Sequence, residues 1–315
     1  MKILRISTLI DFLENSILIL LIAFTFYISL PVKTTKTLFV PKGSIHTIIS
    51  KLHKQGYDLS FIDKYMLSFM GVPKTGWIAL GSQKMHRVDF LYKLTSAKAM
   101  IHKVTLIPGE TKEIFLASLA TQLDLNKTKL LKAYTHYAHY PEAGIYADTY
   151  HVPYGIGEKH LLSFLTKMSN KKYRLLSEKI YGTYSEIQWL KILIIASIIQ
   201  KEAANNQEMP LVASVIVNRL KKGMRLQMDG TLNYGIYSHI KVTPERIKND
   251  LSTFNTYKHK GLPSSPIGAV SITAIKAAMK PASTPYLYFM KNKQGVHDFS
   301  KTYKEHRKNI KKSKN

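Results

Sequence analysis

Among the side chains able to do chemistry, Glu202 has the most informative surroundings. It closes the segment Ser185 to Ala203, SEIQWLKILIIASIIQKEA, which is helical in length and apolar nearly all round, the pattern of a buried helix. A carboxyl held near apolar walls has its charged form disfavoured, so its pKa rises. The negative end of the helix dipole pushes the same way. Such a group keeps its proton near neutral pH and can act as a general acid. The competing reading turns Glu202 outward into solvent beside Lys201.

Other polar clusters follow it along the chain. Arg225-Leu226-Gln227-Met228-Asp229-Gly230-Thr231 comes after a helix stop at Gly223 and gathers side chains able to bind hydroxyls and amides or anchor a carboxylate. As structure, the same residues are ordinary loop polarity. Asn255-Thr256-Tyr257 with Gly261-Leu262-Pro263 is a turn-rich loop without chemical specificity of its own. His297 stands beside Asp298, and His136 and His139 share a helix face without an evident third ligand, so no metal site is expected. Phosphate-cradling glycine loops, G-x-S-x-G and H-E-x-x-H are absent from the sequence, which leaves nucleotide and serine-nucleophile chemistry without support. The absence of cysteine removes disulfides, thiolate nucleophiles and cysteine-based zinc sites.

The elements that must position these groups read as mixed α+β. A strand at Leu38 to Val40, a turn at Pro41-Lys42-Gly43 and an N-cap at Ser44 lead into Ile45, Ile48, Ile49 and Leu52 at helical spacing, stopped by Gly56. A similar unit runs from a strand at Val104 to Ile107 through Pro108-Gly109 and Thr111 into Ile114, Phe115 and Leu119. Asp58 to Ala99 reads as amphipathic helix with an interruption from Gly71 to Gly81. After the apolar segment come helices at Leu211 to Lys222, Thr243 to Asn249 and Ser271 to Lys280. A strand at Pro285 to Met290 turns through Gln294-Gly295 into a partner at Val296 to Phe299, and the tail after Lys304 is expected to fray.

The N-terminus and the charge narrow the setting. Ser16 to Val32, SILILLIAFTFYISLPV, carries no charge and as a helix would span roughly 25 Å. It ends without the small-residue pattern of a cleavage site, so an uncleaved membrane anchor is expected, followed by a basic linker at Lys33 to Lys36. The formal charge of +26 suits an anionic partner or a generally basic proteome. Nucleic acid is not expected, because the positive residues are dispersed and the chain is tethered.

Taken together, the motifs resemble the endolytic murein transglycosylase family, the YceG-like or MltG-type proteins. Ala196 to Ala203 (ASIIQKEA) resembles that family's A-S-I-[IV]-E-[KR]-E-[TA] segment, and Val212 to Val215 with Asn218-Arg219-Leu220 resembles V-A-[SG]-V…N-R-L. Met224 to Gly235 resembles M-x-L-Q-[TS]-D-P-T-x-x-Y, and the 255–257 and 261–263 segments resemble N-T-Y…G-L-P. Pro281-Ala282, Pro285 to Phe289, His297 and Phe299 resemble the family's ending, while Glu142 and Asp148-Thr149-Tyr150 resemble E-G-x-x-x-P-D-T-Y upstream. The resemblance covers roughly residues 38 to 307. The chain departs from it at Gln200, Gly230, Ala143 and Ser264-Ser265.

The resemblance implies a cytoplasmic N-terminus at 1–15, a transmembrane anchor at 16–32, a LysM-like α/β module at 38–100, a mixed α+β catalytic domain at 101–307 and a basic tail at 308–315. It implies an inner-membrane protein with its body in the periplasm, acting on peptidoglycan glycan strands near wall-synthesis enzymes and needing no cofactor. Glu202 would be the single catalytic acid and base. Gln227, Asp229, Thr231, Tyr234, Asn255, Thr256, Tyr257 and His297 would contact substrate. The alternative is a non-catalytic wall-binding or scaffold protein, which needs no carboxyl at position 202.

Overall fold

The structure is a computed structural model that describes residues 2–314. The chain is mixed α+β and divides into two compact units. Residues up to His102 with Val152–Gly155 form the first, and Lys103–His151 with Ile156 onward form the second.

The first unit holds α1 (Lys2–Ser29), β1 (Pro31–Lys33), β2 (Thr37–Val40), α2 (Ile45–Lys54), α3 (Phe61–Met70), β3 (Gly76–Ala79), β4 (Lys84–His86) and α4 (Arg87–Ser96). Within α1, Leu9–Ser29 has a mean hydropathy of 2.0 and is long and apolar enough to cross a membrane. The helix stops at Ser29, earlier than the Val32 expected from the apolar run. Pro31 and Val32 instead pair antiparallel with His86 and Met85 across β1 and β4, because Val32 is needed in the core and is wholly buried there. The basic linker expected at Lys33 to Lys36 is likewise pinned. Lys33 lies in β1, Thr34 N–H donates to Gln83 O at 2.9 Å, and Leu80 N–H donates to Lys36 O at 2.9 Å.

β2 pairs antiparallel with β3, with Leu38 opposite Ile78 and Phe39 opposite Trp77. The core gathers Leu38, Val40, Ile48, Leu52, Leu67, Ile78, Phe90, Leu91 and Leu94. Ser44 caps α2 as expected, its hydroxyl accepting from Thr47 N–H. β3 falls inside the expected Gly71–Gly81 interruption, and β4 falls just after it, where helix was expected.

β5 (Ile101–Thr105) and β6 (Thr149–Pro153) pair with each other. The second unit continues with α5 (Lys112–Leu123), α6 (Lys127–Tyr137), α7 (Glu158–Tyr181), α8 (Glu186–Glu202), α9 (Met209–Lys221), α10 (Pro244–Asn249), α11 (Ile272–Met279), β7 (Tyr288–Lys291), β8 (His297–Ser300) and α12 (Tyr303–Lys314). α8 runs through the core, burying Trp189, Leu193, Ala196, Ile198 and Ile199 against α9 residues Val212, Val215 and Ile216 and α11 residues Ala274 and Ile275. Full burial of a Leu or Ile side chain is worth about 1.5–3 kcal/mol, so α8 is a firmly held platform. The segment expected to fray after Lys304 is helical through Lys314. α12 packs on β7 and β8, His306 stacking on Tyr288 with centroids 5.3 Å apart and Asn309 donating to Ser300 Oγ at 3.0 Å.

Candidate active site

Glu202 is the last residue of α8. Its carboxyl turns toward a short 3-10 turn at Asp229–Leu232, where Oε1 accepts the Gly230 N–H at 2.6 Å. Burial raises its pKa to about 7. The Gly230 hydrogen bond opposes that rise, the Asp229 charge adds to it and the Arg219 charge opposes it. The approach is tight. A Cβ on Gly230 would lie 2.7 Å from Lys201 Cβ and 2.8 Å from Glu202 Oε1, closer than non-bonded atoms pack, so only glycine lets the turn reach the carboxyl. Lys201 takes a different direction, donating through Nζ to Ser238 Oγ at 2.9 Å.

The 255–257 loop supports the turn from behind. Asn255 is wholly buried and donates from Nδ2 to Ile247 O and Asp250 O, both at 2.8 Å, while its Oδ1 accepts Tyr257 N–H at 3.1 Å. Thr256 Oγ1 accepts Met228 N–H at 3.1 Å and lies 3.0 Å from Thr231 Oγ1. Gln227 N–H closes the pair by donating to Thr256 O at 3.2 Å. Asn255, Thr256 and Thr231 therefore spend their polar groups inside the protein.

Asp229 is exposed and accepts Tyr257 O–H at Oδ1, 2.6 Å away. Burial first, then the Asp229 hydrogen bond and charge, raise the Tyr257 pKa well above its ordinary value. Gln227 is exposed with φ of 48°, a left-handed conformation uncommon outside glycine. Tyr234 packs flat on Phe254, centroids 4.3 Å apart, and donates to Asp250 Oδ2 at 3.0 Å.

His297 is engaged with a different partner. Its Nδ1 lies 2.7 Å from Glu208 Oε2, its N–H donates to Glu208 Oε1 at 2.8 Å, and Glu208 also accepts Ala204 N–H at 3.2 Å. This pair clamps β8 onto the segment just beyond Glu202. Glu202, Gln227, Asp229, Thr231, Asn255, Thr256 and Tyr257 thus belong to one connected cluster, with Tyr234 packed beside it and His297 set behind Glu208.

Sequence reasoning did not assign roles to several neighbours. Arg219, nearly buried, donates from Nε to Leu287 O at 2.6 Å and from Nη1 to Leu226 O, tying α9 to both the β7 approach and the 225–231 loop. Gln200 Oε1 accepts Ser271 N–H at 3.2 Å at the start of α11. Glu142 is a second buried carboxyl, accepting Lys112 N–H at 2.9 Å with Lys112 Nζ at 3.4 Å. Burial raises its pKa to about 7 despite the Lys112 charge. Glu142 and Arg219 both sit in motifs that the sequence displays, which is the signal that could have marked them. A separate concavity of about 650 Å³, lined by Lys129, Lys132, His136, Lys159 and His160 among others, shares no residue with this cluster.

With this geometry in view, comparison with known proteins places the chain. The YceG-like family matches residues 38–312, and the chain belongs to that family. An endolytic murein transglycosylase of Bacillus subtilis is 41% identical over 119 residues, 38% of this chain and 33% of that protein. One from Streptococcus pneumoniae is 28% identical over 126 residues, 38% of this chain and 23% of that protein. The matched stretch therefore spans a third or less of these curated relatives. A crystal structure of a yceG-like protein from Listeria monocytogenes superposes with a TM-score of 0.57 at 25% identity, covering 86% of this chain and 97% of that one.

Proposed function

We propose that this chain is a membrane-anchored endolytic lytic transglycosylase that cuts the MurNAc–GlcNAc bond of peptidoglycan strands and leaves 1,6-anhydro-MurNAc ends. The observation that carries the reading is Glu202, a carboxyl raised to about 7 at the end of the core helix and gripped by the Gly230 N–H. A general acid that must later serve as base works best with a pKa near the working pH.

In this reading the protonated Glu202 gives its proton to the glycosidic oxygen. The C1–O bond breaks, its electron pair stays on the departing GlcNAc oxygen, and positive charge develops at C1 of MurNAc. The carbonyl oxygen of the 2-acetamido group shelters that charge. The Glu202 carboxylate, steadied by Gly230 N–H, then takes the proton of the C6 hydroxyl as its oxygen bonds to C1. One carboxyl suffices where a hydrolase usually needs two, and no water is consumed. Besides Glu202, solvent reaches Asp229, Tyr257 and Gln227 in the cluster, and these three are proposed to hold sugar and acetamide. Thr231, Asn255 and Thr256 hold those three in place.

The same reading puts α1 across the inner membrane with its N-terminus in the cytoplasm and both units outside. The first unit serves as a LysM-like wall-binding module, and cleavage ends the elongation of nascent strands beside wall-synthesis enzymes. Digestion of purified glycan strands by the full chain and by Glu202→Gln, read by mass spectrometry, tests it. Anhydro ends from the parent and none from the variant are expected. Reducing ends would mean a hydrolase, and equal product from both proteins would remove Glu202 from the chemistry.

A further inference from the structure

Helix α3 carries an apolar face that the first unit leaves without a partner. Asp63 and Leu67 point into the core and are wholly buried. Phe61, Tyr65 and Phe69, spaced by four, fall on the opposite face and are 74%, 58% and 93% exposed, with Val72 just beyond them at 81%. Scattered apolar residues on a surface need no explanation, but a contiguous stripe of three aromatics marks a contact.

The place of α3 indicates what covers it. Tyr27, in the last turn of the membrane-length helix, has its hydroxyl 2.6 Å from Ser60 Oγ, the N-cap of α3, and donates to Asp63 Oδ2 at 2.9 Å. Arg87 reinforces the junction. Its guanidinium lies over the Tyr27 ring at 4.5 Å, and Nη1 donates to Asp63 Oδ2 at 2.7 Å. His86 Nδ1 lies 2.7 Å from Ser29 O. The 21 residues Leu9–Ser29, at 1.5 Å each, measure about 32 Å, close to the thickness of a bilayer core. The start of α3 is therefore fixed at the depth where α1 leaves the hydrocarbon. Aromatic side chains are enriched at that depth, and Lys64 and exposed Lys74 can extend their ammonium groups to lipid phosphates.

We propose that α3 is an interfacial helix, its Phe61–Tyr65–Phe69 stripe and Val72 seated among the lipid headgroups of the leaflet from which α1 emerges. This rests on α1 being a membrane span, as proposed above. The occupant is the bilayer because the stripe lies on a helix whose N-terminus is hydrogen-bonded to the last turn of the membrane-length helix. The interaction would give the first unit a second point of attachment to the membrane beside α1.

The chain has no cysteine, so single cysteines at Phe61, Phe69, Ile19 and Lys51 can be labelled with an environment-sensitive fluorophore. The labelled full chain is placed, one copy per nanodisc, in phosphatidylcholine with phosphatidylglycerol. Labels at Phe61→Cys and Phe69→Cys should emit at shorter wavelength than the label at Lys51→Cys. They should lose intensity to lipids bearing a doxyl group near the headgroup and resist aqueous iodide. If position 69 behaves like position 51 while Ile19→Cys is quenched by deep doxyl lipid, the interfacial helix is refuted and the anchor stands. If Ile19→Cys is quenched by iodide, the anchor itself fails. Protection of position 69 from both quenchers would mean that protein covers the stripe, which also overturns the proposal.

Discussion

Replacing Glu202 by glutamine should separate catalysis from stability in a way that depends on pH. Glutamine keeps the shape and the acceptor for Gly230 N–H but cannot ionise. Burial raises the folded-state pKa of Glu202 from 4.5 to about 7, so the folded protein holds this proton more tightly than the unfolded chain. The associated stability is fully present below about pH 4.5 and is lost as pH climbs through about 7. A shift of this size corresponds to about 3 kcal/mol at most. Partial solvent access to the side chain reduces the expected loss to about 1–3 kcal/mol. Denaturant unfolding of the full chain in detergent, compared for parent and Glu202→Gln at pH 5 and pH 8.5, reads it directly. The two proteins should be nearly equally stable at pH 5, and the variant should be the more stable at pH 8.5 while producing no anhydro ends. Glu142, also raised to about 7 by burial, is present in both proteins and cancels. Parallel stability profiles for the two proteins would refute the claim that this carboxyl is held protonated by its surroundings.

Three further outcomes follow from the same geometry. Gly230→Ala drives a methyl into Lys201 Cβ and Glu202 Oε1, so turnover should fall by at least about tenfold while thermal unfolding moves by no more than about 1–3 kcal/mol, the range for overpacking; product release and a melting curve on one preparation decide it. Asn255→Ala deletes two carbonyl partners and the acceptor for Tyr257 N–H, costing about 2–4 kcal/mol at about 1 kcal/mol per bond plus the unmet groups, seen as a lowered urea midpoint. His297→Ala leaves Glu208 with its side-chain hydrogen-bond partner gone, and should cost about 1–3 kcal/mol. Its remaining folded fraction should keep the parent's turnover per folded molecule, the folded fraction being read by circular dichroism.

How far the sequence could be read depended on the length scale of each feature. Glu202 was legible because its cue is local: a carboxyl closing an apolar run long enough to be a buried helix. Its partner was not, since the donor is the backbone of Gly230, and a sequence does not show where a main-chain N–H will point. The 225–231 and 255–257 loops were visible as polar clusters. Which of their members face solvent depended on the Thr231–Thr256 hydroxyl contact and the Asn255 bonds, set only when the loops dock. The Glu208 partner of His297 was not legible, because it lies 89 positions away in the sequence. Strands β3 and β4, four and three residues long, are too short for a period-two pattern to emerge. α12 looked like a loose tail because its composition is polar. It is held by His306 on Tyr288 and Asn309 on Ser300, contacts made across the chain. The mixed α+β character and the apolar N-terminal helix, both carried by long or repeated patterns, were read correctly.

The passage from α1 into β1 has a mechanical implication. Only Leu30 separates helix from strand, and its carbonyl accepts Arg87 N–H at 3.0 Å, so there is no slack at the foot of the first unit. Any tilt of α1 is therefore passed on to β1 and its unit, which lean with the helix like a mast stepped rigidly into a hull.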